Sequence, residues 1–353
     1  MKRVVTTLVL AGVLLVALAA PAGAATAVWQ PSTVATMTAG DYGAFLEGMA
    51  ADSHGNLFGS LTTWGYASED GSVAESNIGE VWRVAPNGDK TLVATKDLSP
   101  NGMFTGVAVD RSGHVYVALY DFGDPAVVGS SIFRVGPGDG MTKVAALPQG
   151  TMPNGIAFSG GRLYITDSAS GAIWRVRLGS GVVTAKTAWL ENALLAGGDP
   201  ATDPTMMGLG ANGIAFRGDR AYVGVSDYGR IVSVPVRADG SAGRLKVLCK
   251  RPELVTADGI AFDALGRLWV TVNAGTTGSS PSGALYCLST SGAVRQHVDD
   301  PSWLNYPVMP VFGTTKSTSH TLFIANGAYY GYADGSAPDI QALHVDARGL
   351  QLR

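Results

Sequence analysis

The sequence predicts an all-β fold, a six-bladed β-propeller of four-stranded antiparallel blades, and three observations predict it. The first is a stretch that recurs. Pro153-Asn154-Gly155-Ile156-Ala157-Phe158 returns as Asn212-Gly213-Ile214-Ala215-Phe216 and as Asp258-Gly259-Ile260-Ala261-Phe262-Asp263. Thr105-Gly106-Val107-Ala108-Val109-Asp110 and Glu47-Gly48-Met49-Ala50-Ala51-Asp52 fit the same frame earlier. The steps between the five copies are 58, 49, 58 and 46 residues, and internal similarity at about this period marks a propeller or similar array. The second is a degraded sixth copy, Val308-Met309-Pro310-Val311-Phe312, which lacks the glycine. The third is a mismatch of strands at the ends. The last repeat runs out after three strand candidates, and a short spare strand, Val34-Ala35-Thr36-Met37-Thr38, precedes the first repeat. Supplying the missing strand from the front closes the ring and hides the sheet edges.

The chain has 353 residues, 46% hydrophobic and only 15% charged, with 47 glycines. That suits many short strands joined by tight turns. Lys2 and Arg3 precede an uncharged run over 4–20, then Pro21 and Ala22-Gly23-Ala24. A basic start, an apolar middle and a small-x-small end read as a secretory signal over residues 1–24, with an uncleaved membrane anchor as the alternative. The propeller is then 25–353, exported, with no membrane attachment after cleavage. Six blades over it average about 55 residues, near the ~40–50 of known blades plus loops.

Loss of Lys2 and Arg3 moves the net charge from -3 to -5. With no basic cluster, there is no electrostatic footprint for nucleic acid. A monomer acting on a small-molecule substrate is expected. Cys249 and Cys287 sit in apolar strand contexts, and either a disulfide or two buried free thiols fits an exported chain.

Within each repeat the inner strand is followed by a polar turn and a second apolar run: Leu57-Phe58, Val115-Tyr116-Val117, Leu163-Tyr164-Ile165, Ala221-Tyr222-Val223 and Leu268-Trp269-Val270. Third and fourth strands read as hairpins. Val81-Trp82-Arg83-Val84 turns at Asn87-Gly88, Ile132-Phe133-Arg134-Val135 near Gly138-Asp139-Gly140, Ile231-Val232-Ser233-Val234 at Asp239-Gly240 and Leu285-Tyr286-Cys287-Leu288 at Ser291-Gly292. Ile173-Trp174-Arg175-Val176 is expected to do likewise. No long segment after residue 24 has helical periodicity. The connections from second to third strand vary most, over 62–79, 120–130, 167–171, 227–229 and 273–283. Variable loops on a fixed scaffold are where substrate selection usually resides.

The chemistry rests on what precedes the repeated glycine: Glu47, Thr105, Asn154, Asn212 and Asp258. Inner strands line a propeller's channel, so these positions form a ring at one height. Four bring carboxylate or amide oxygens, the ligands hard cations take, and Ca2+ tolerates such geometry better than Mg2+. No histidine or cysteine stands among them, which argues against zinc. Asn-Gly and Asp-Gly are also ordinary turn dipeptides, so a turn is the competing reading of each alone. Asn101-Gly102, just upstream of the second repeat, reads as a turn. His54, His114 and His320 fall in first-to-second-strand turns; Glu47 to His54 spans about 23 Å at ~3.3 Å per residue, placing them near the opposite face. His297 and His344 lie on outer strands.

At the Glu…Asn…Asn…Asp series the chain resembles the senescence marker protein/gluconolactonase/luciferin-regenerating enzyme family of six-bladed, calcium-dependent propellers. It is more distantly similar to paraoxonases and diisopropyl-fluorophosphatases. The resemblance covers essentially the whole mature chain. It implies that Glu47 in Leu46-Glu47-Gly48, Asn154, Asn212 and Asp258 hold a divalent cation, and that the activity is hydrolysis of sugar or other lactones. The first motif lacks the proline and tryptophan often found after Glu-Gly, and Thr105 stands in the register of a second-blade arginine that contacts substrate in the family. Strictosidine-synthase-like relatives share the propeller without this metal set.

The expected function is therefore a Ca2+-dependent lactonase or esterase. Asp258 is expected to accept a proton from water, Asn154 to touch substrate as well as metal, and Trp64, Tyr66, Asp121, Tyr228, Asn273 and Tyr329 to wall the pocket. A binding propeller with structural Ca2+ and a phosphotriester hydrolase are the alternatives.

Overall fold

In this computed structural model the chain is described at residues 30–37, 44–63, 77–121, 129–136, 140–179, 181–185, 187–273, 283–329 and 336–350. Six sheets are arranged as a ring, and no α-helix occurs among the described residues. The inner strands are Ala44–Ala51, Gly102–Val109, Pro153–Ser159, Ala211–Arg217, Ala257–Phe262 and Pro307–Phe312, each against the inner strands of the blades before and after it. The sixth blade is completed by the early strand Ser32–Thr36, which runs antiparallel to Asp339–His344. The spare strand at the front closes the ring, as its sequence position predicts.

Alternation along each strand builds the core. Leu163 and Ile165 enter the cluster between blades two and three, while Tyr164 between them enters the cluster between blades three and four. Side chains one apart on a strand point to opposite faces, so every sheet is buried on both sides. Six such clusters fill the six seams between blades. The phenylalanine ending the repeated motif packs on an aromatic of the preceding blade: Phe158 on Tyr116, Phe216 on Tyr164, Phe262 on Tyr222 and Phe312 on Trp269, with centroids 5.1, 4.8, 4.7 and 6.3 Å apart. Aromatic pairs in this range add to the burial of their area.

Blade three departs from the expected pattern. No hairpin follows Ala172–Val176; its fourth strand is only Leu190–Glu191, and Val183–Thr184 instead pairs in parallel with Met141–Ala146 of blade two. The intervening residues include Gly179 and Gly181 and carry the exposed Val182, so little apolar alternation is left to hold a full outer strand.

Cys287 is buried, Cys249 is half-buried, and both are free thiols. The signal-like residues 1–24 lie outside the described residues, and no described helix is long and apolar enough to cross a membrane.

Candidate metal centre in the channel

Each inner strand carries a β-bulge at the ring position. In blade one Leu46 faces Leu61 and Gly48 faces Ser60, leaving Glu47 as the extra residue. In blade three Pro153 faces Asp167 and Ile156 faces Ile165, so Asn154 and Gly155 together oppose Thr166. The same shift falls at Thr105, Asn212, Asp258 and Val308. A bulge leaves a residue out of the ladder and re-aims its side chain. Here the shift recurs at the same position of all six inner strands.

The glycine after each ring residue has a reason other than a turn. None of Gly48, Gly106, Gly155, Gly213 and Gly259 has a positive φ. Each lies against the next blade's ring carbonyl instead: an added Cβ would stand 2.5 Å from Thr105 O, 2.3 Å from Asn154 O, 2.7 Å from Asn212 O, 2.2 Å from Asp258 O and 2.5 Å from Val308 O, in that order. This contact recurs at five of the six junctions between inner strands. The turn reading of these dipeptides fails for that reason, while at Asn101-Gly102 it holds, with Gly102 N–H donating to Ser99 O at 2.9 Å.

Hydroxyls opposite the bulges tie neighbouring blades together. Ser60 Oγ donates to Thr105 O at 2.6 Å, Thr166 Oγ1 to Asn212 O at 2.5 Å and Thr271 Oγ1 to Val308 O at 2.9 Å. Thr105 turns its own Oγ1 to Pro153 O at 2.9 Å and is fully buried, so it closes the wall and presents no ligand. Glu47, Asn154, Asn212 and Asp258 retain 9, 7, 6 and 5% exposure, a narrow opening onto the channel.

The two asparagines are oriented alike. Asn154 Nδ2 donates to Ser168 Oγ at 3.4 Å, and Asn212 Nδ2 to Ser226 Oγ at 3.1 Å. Each serine is anchored in turn to the next blade, Ser168 to Ala211 O and Ser226 to Ala257 O, both at 2.7 Å. The Asn212 Oδ1 atom is buried and has no hydrogen-bond partner among the described residues. A buried oxygen left unpaired is costly unless something cationic or protic meets it.

The carboxylates sit across blade six from each other. Tyr329 Oη donates to Glu47 Oε2, and Asn273 Nδ2 donates to Asp258 Oδ2 at 3.2 Å and reaches Tyr329 Oη at 3.4 Å. Burial pushes the Glu47 carboxyl up to about 7, the Tyr329 hydrogen bond acting the other way. Burial first and the Glu47 charge second hold Asp258 well above its ordinary range, against hydrogen bonds from Asn273 and Asn212. Among the described residues no three His, Cys, Asp or Glu side chains gather, so a cation here would draw on amide oxygens as well as on Glu47 and Asp258. The donor set fits a hard divalent ion: two carboxylates that repel without one, and an amide oxygen with nothing to bind.

The residues expected to wall the pocket do not share one place. Trp64 and Tyr66 lie outside the described residues. Tyr228 has Arg230 and Lys250 over its ring, 4.8 and 5.3 Å from the centroid. Asp121 accepts from Ser99 Oγ at 3.0 Å. Asn273 and Tyr329 do reach the ring, as partners of the carboxylates. His54 and His114 occupy the opposite end, where Asp52 and Asp110 accept their backbone N–H groups at 2.8 and 3.0 Å. Sequence reasoning missed Ser168 and Ser226; each stands 14 residues after its asparagine, a spacing that could have revealed them.

No protein-family model matches the sequence, and no curated protein is significantly similar to it. Solved structures are similar. A protein assigned as a gluconolactonase superposes with a TM-score of 0.55 at 14% identity, over 92% of this chain and 95% of that one. The likeness is one of fold. It agrees with the scaffold implied by the Glu47, Asn154, Asn212 and Asp258 series. A PQQ-bound aldose sugar dehydrogenase from Streptomyces coelicolor gives 0.54 at 17% identity, over 90% and 98% of the chains. A virginiamycin B lyase from Staphylococcus aureus gives 0.51 at 14%, over 90% and 99%. Proteins of three different names share the scaffold, so function has to be argued from the hub.

Proposed function

We propose that the protein is an exported, divalent-metal-dependent hydrolase of lactones or esters, with Ca2+ the preferred ion. The observation that supports this best is the convergence on one channel opening of two buried carboxylates, Glu47 and Asp258, with the unpartnered Oδ1 of Asn212. Glu47, Asn154, Asn212 and Asp258 would hold the cation. Bound there, it would polarise a carbonyl and offset the charge that develops on its oxygen.

The chain's own groups divide the remaining work. Ser168 and Ser226 hold the amide nitrogens of Asn154 and Asn212 against the wall, which leaves the amide oxygens for the channel. Asp258 is placed to take a proton from an attacking water, with Asn212 and Asn273 fixing its orientation. Asn154 would touch substrate as well as the cation.

The test is metal analysis of purified protein, followed by a panel of lactones, aryl esters and a paraoxon-type phosphotriester with and without chelator. Chelator-sensitive turnover of lactones or esters is expected. A second reading is that the cation ties blades one, three, four and five together in a binding propeller, favoured by the hydrogen-bonded arc that already links Glu47 to Asp258. In that case chelation lowers only the melting temperature and no substrate in the panel turns over.

A further inference from the structure

The ring has a gap on one side. Blade six places Val308 at its bulge, so between Asp258 of blade five and Glu47 of blade one the hub has no polar side chain from an inner strand. The gap is bridged from above by two loop residues. Asn273 follows the second strand of blade five, and Tyr329 follows the second strand of blade six. Together they form a continuous path from Glu47 Oε2 through Tyr329 Oη and Asn273 Nδ2 to Asp258 Oδ2.

Tyr329 is held firmly. Its ring packs on Phe45 and Tyr306 at centroid distances of 5.6 and 5.7 Å. The preceding turn is stitched down by Gly327 N–H to Tyr306 O at 2.8 Å and Ala328 N–H to Asn305 O at 3.2 Å, and Leu46 N–H donates to Gly327 O at 3.4 Å. Ala328 adopts φ 50, a left-handed conformation that costs a non-glycine residue about 1–2 kcal/mol. Such conformations persist where surrounding structure over-determines them, often to aim a functional group.

We propose that Tyr329 and Asn273 are positioning residues that occupy the side of the ring where blade six offers no polar inner-strand side chain. They orient Glu47 and Asp258 for a divalent cation. This rests on the metal reading of the hub and extends it to two residues that touch only its carboxylates. Donors to a metal's carboxylate ligands commonly contribute 10–100-fold to metal affinity.

The experiment is calorimetric titration of Ca2+ into chelator-stripped wild-type protein, Tyr329→Phe and Asn273→Ser, with the metal-free melting temperature of each. Tyr329→Phe keeps the packed ring and removes only the hydroxyl. Wild type is expected to bind one Ca2+, and each variant to bind about 10–100-fold more weakly, with the metal-free melting temperature lowered by no more than about 4 °C. A purely structural role would move the melting temperature and leave the affinity unchanged. Affinities within about 3-fold of a wild type that binds overturn the positioning role and leave the metal reading standing. Absence of Ca2+ binding in wild type overturns both. Should Tyr329→Phe not fold, the Asn273→Ser affinity decides by the same criterion.

Discussion

Gly213 lies so close to the backbone of Asp258 that a methyl group on it would stand 2.2 Å from the aspartate's carbonyl oxygen. The obstacle is backbone of another blade, which cannot rotate away as a side chain would. Gly213→Ala is therefore expected to cost about 3 kcal/mol and to weaken metal binding by shifting Asp258. Gly113→Ala is the informative contrast: φ there is +83, yet no atom lies within 4 Å. Strain alone should cost about 1–2 kcal/mol. Urea unfolding of both variants in chelator checks the ranking.

Asp258→Asn should separate stability from function. At a pH high enough to ionise both carboxyls, removing one of the two buried like charges relieves both desolvation and repulsion. The metal-free variant is expected to melt higher than metal-free wild type, while Ca2+ no longer raises its melting temperature and turnover is lost. Paired melting curves with chelator and with Ca2+, alongside the lactone assay, measure all three.

The metal-free protein should become less stable as pH rises through neutrality. Glu47 has a pKa of about 7 in the folded chain against 4.5 ordinarily. Asp258 is likewise raised, from 3.8. The folded state then holds protons that the unfolded chain has released, so stability is full below about pH 4 and falls between there and about pH 7. Asp339, also pushed up by burial, acts in the same sense, whereas Asp110 and Asp346 are held low and act only in acid. Thermal melts in chelator at pH 5 and pH 8 should show the higher value at pH 5, and Glu47→Gln should reduce the difference. Saturating Ca2+ should reverse the trend, since the ion requires the ionised carboxylates.

Asp227 organises the loop over 192–210. Its carboxylate accepts backbone N–H groups from Gly198 at 2.9 Å, Leu209 at 3.0 Å and Met207 at 3.2 Å. Asp227→Ala leaves those donors without a partner and should cost about 1–3 kcal/mol. Limited proteolysis should then cut within 198–209, where wild type resists.

Sequence and structure agree wherever periodicity carries the information. The spacing of the ring residues and a spare front strand were readable, because each is a pattern along the chain; the strand, expected over 34–38, lies two residues earlier at Ser32–Thr36. What stayed hidden depends on neighbours across space. At Asn212-Gly213 a turn stays the competing reading until Asp258 O is seen beside Gly213. Ser168 and Ser226 look like ordinary loop residues until their asparagines fold over them. Tyr329 reads as pocket wall because nothing local says that its hydroxyl meets Glu47, a residue 282 positions away. The short outer strand of blade three follows from Gly179 and Gly181, a local signal outweighed by the expectation that each repeat behaves alike.

The seam of blade six joins Thr33 to Gln341, side chains 308 positions apart. During synthesis, therefore, the earliest described strand has no partner in its sheet until residues 339–344 have been made.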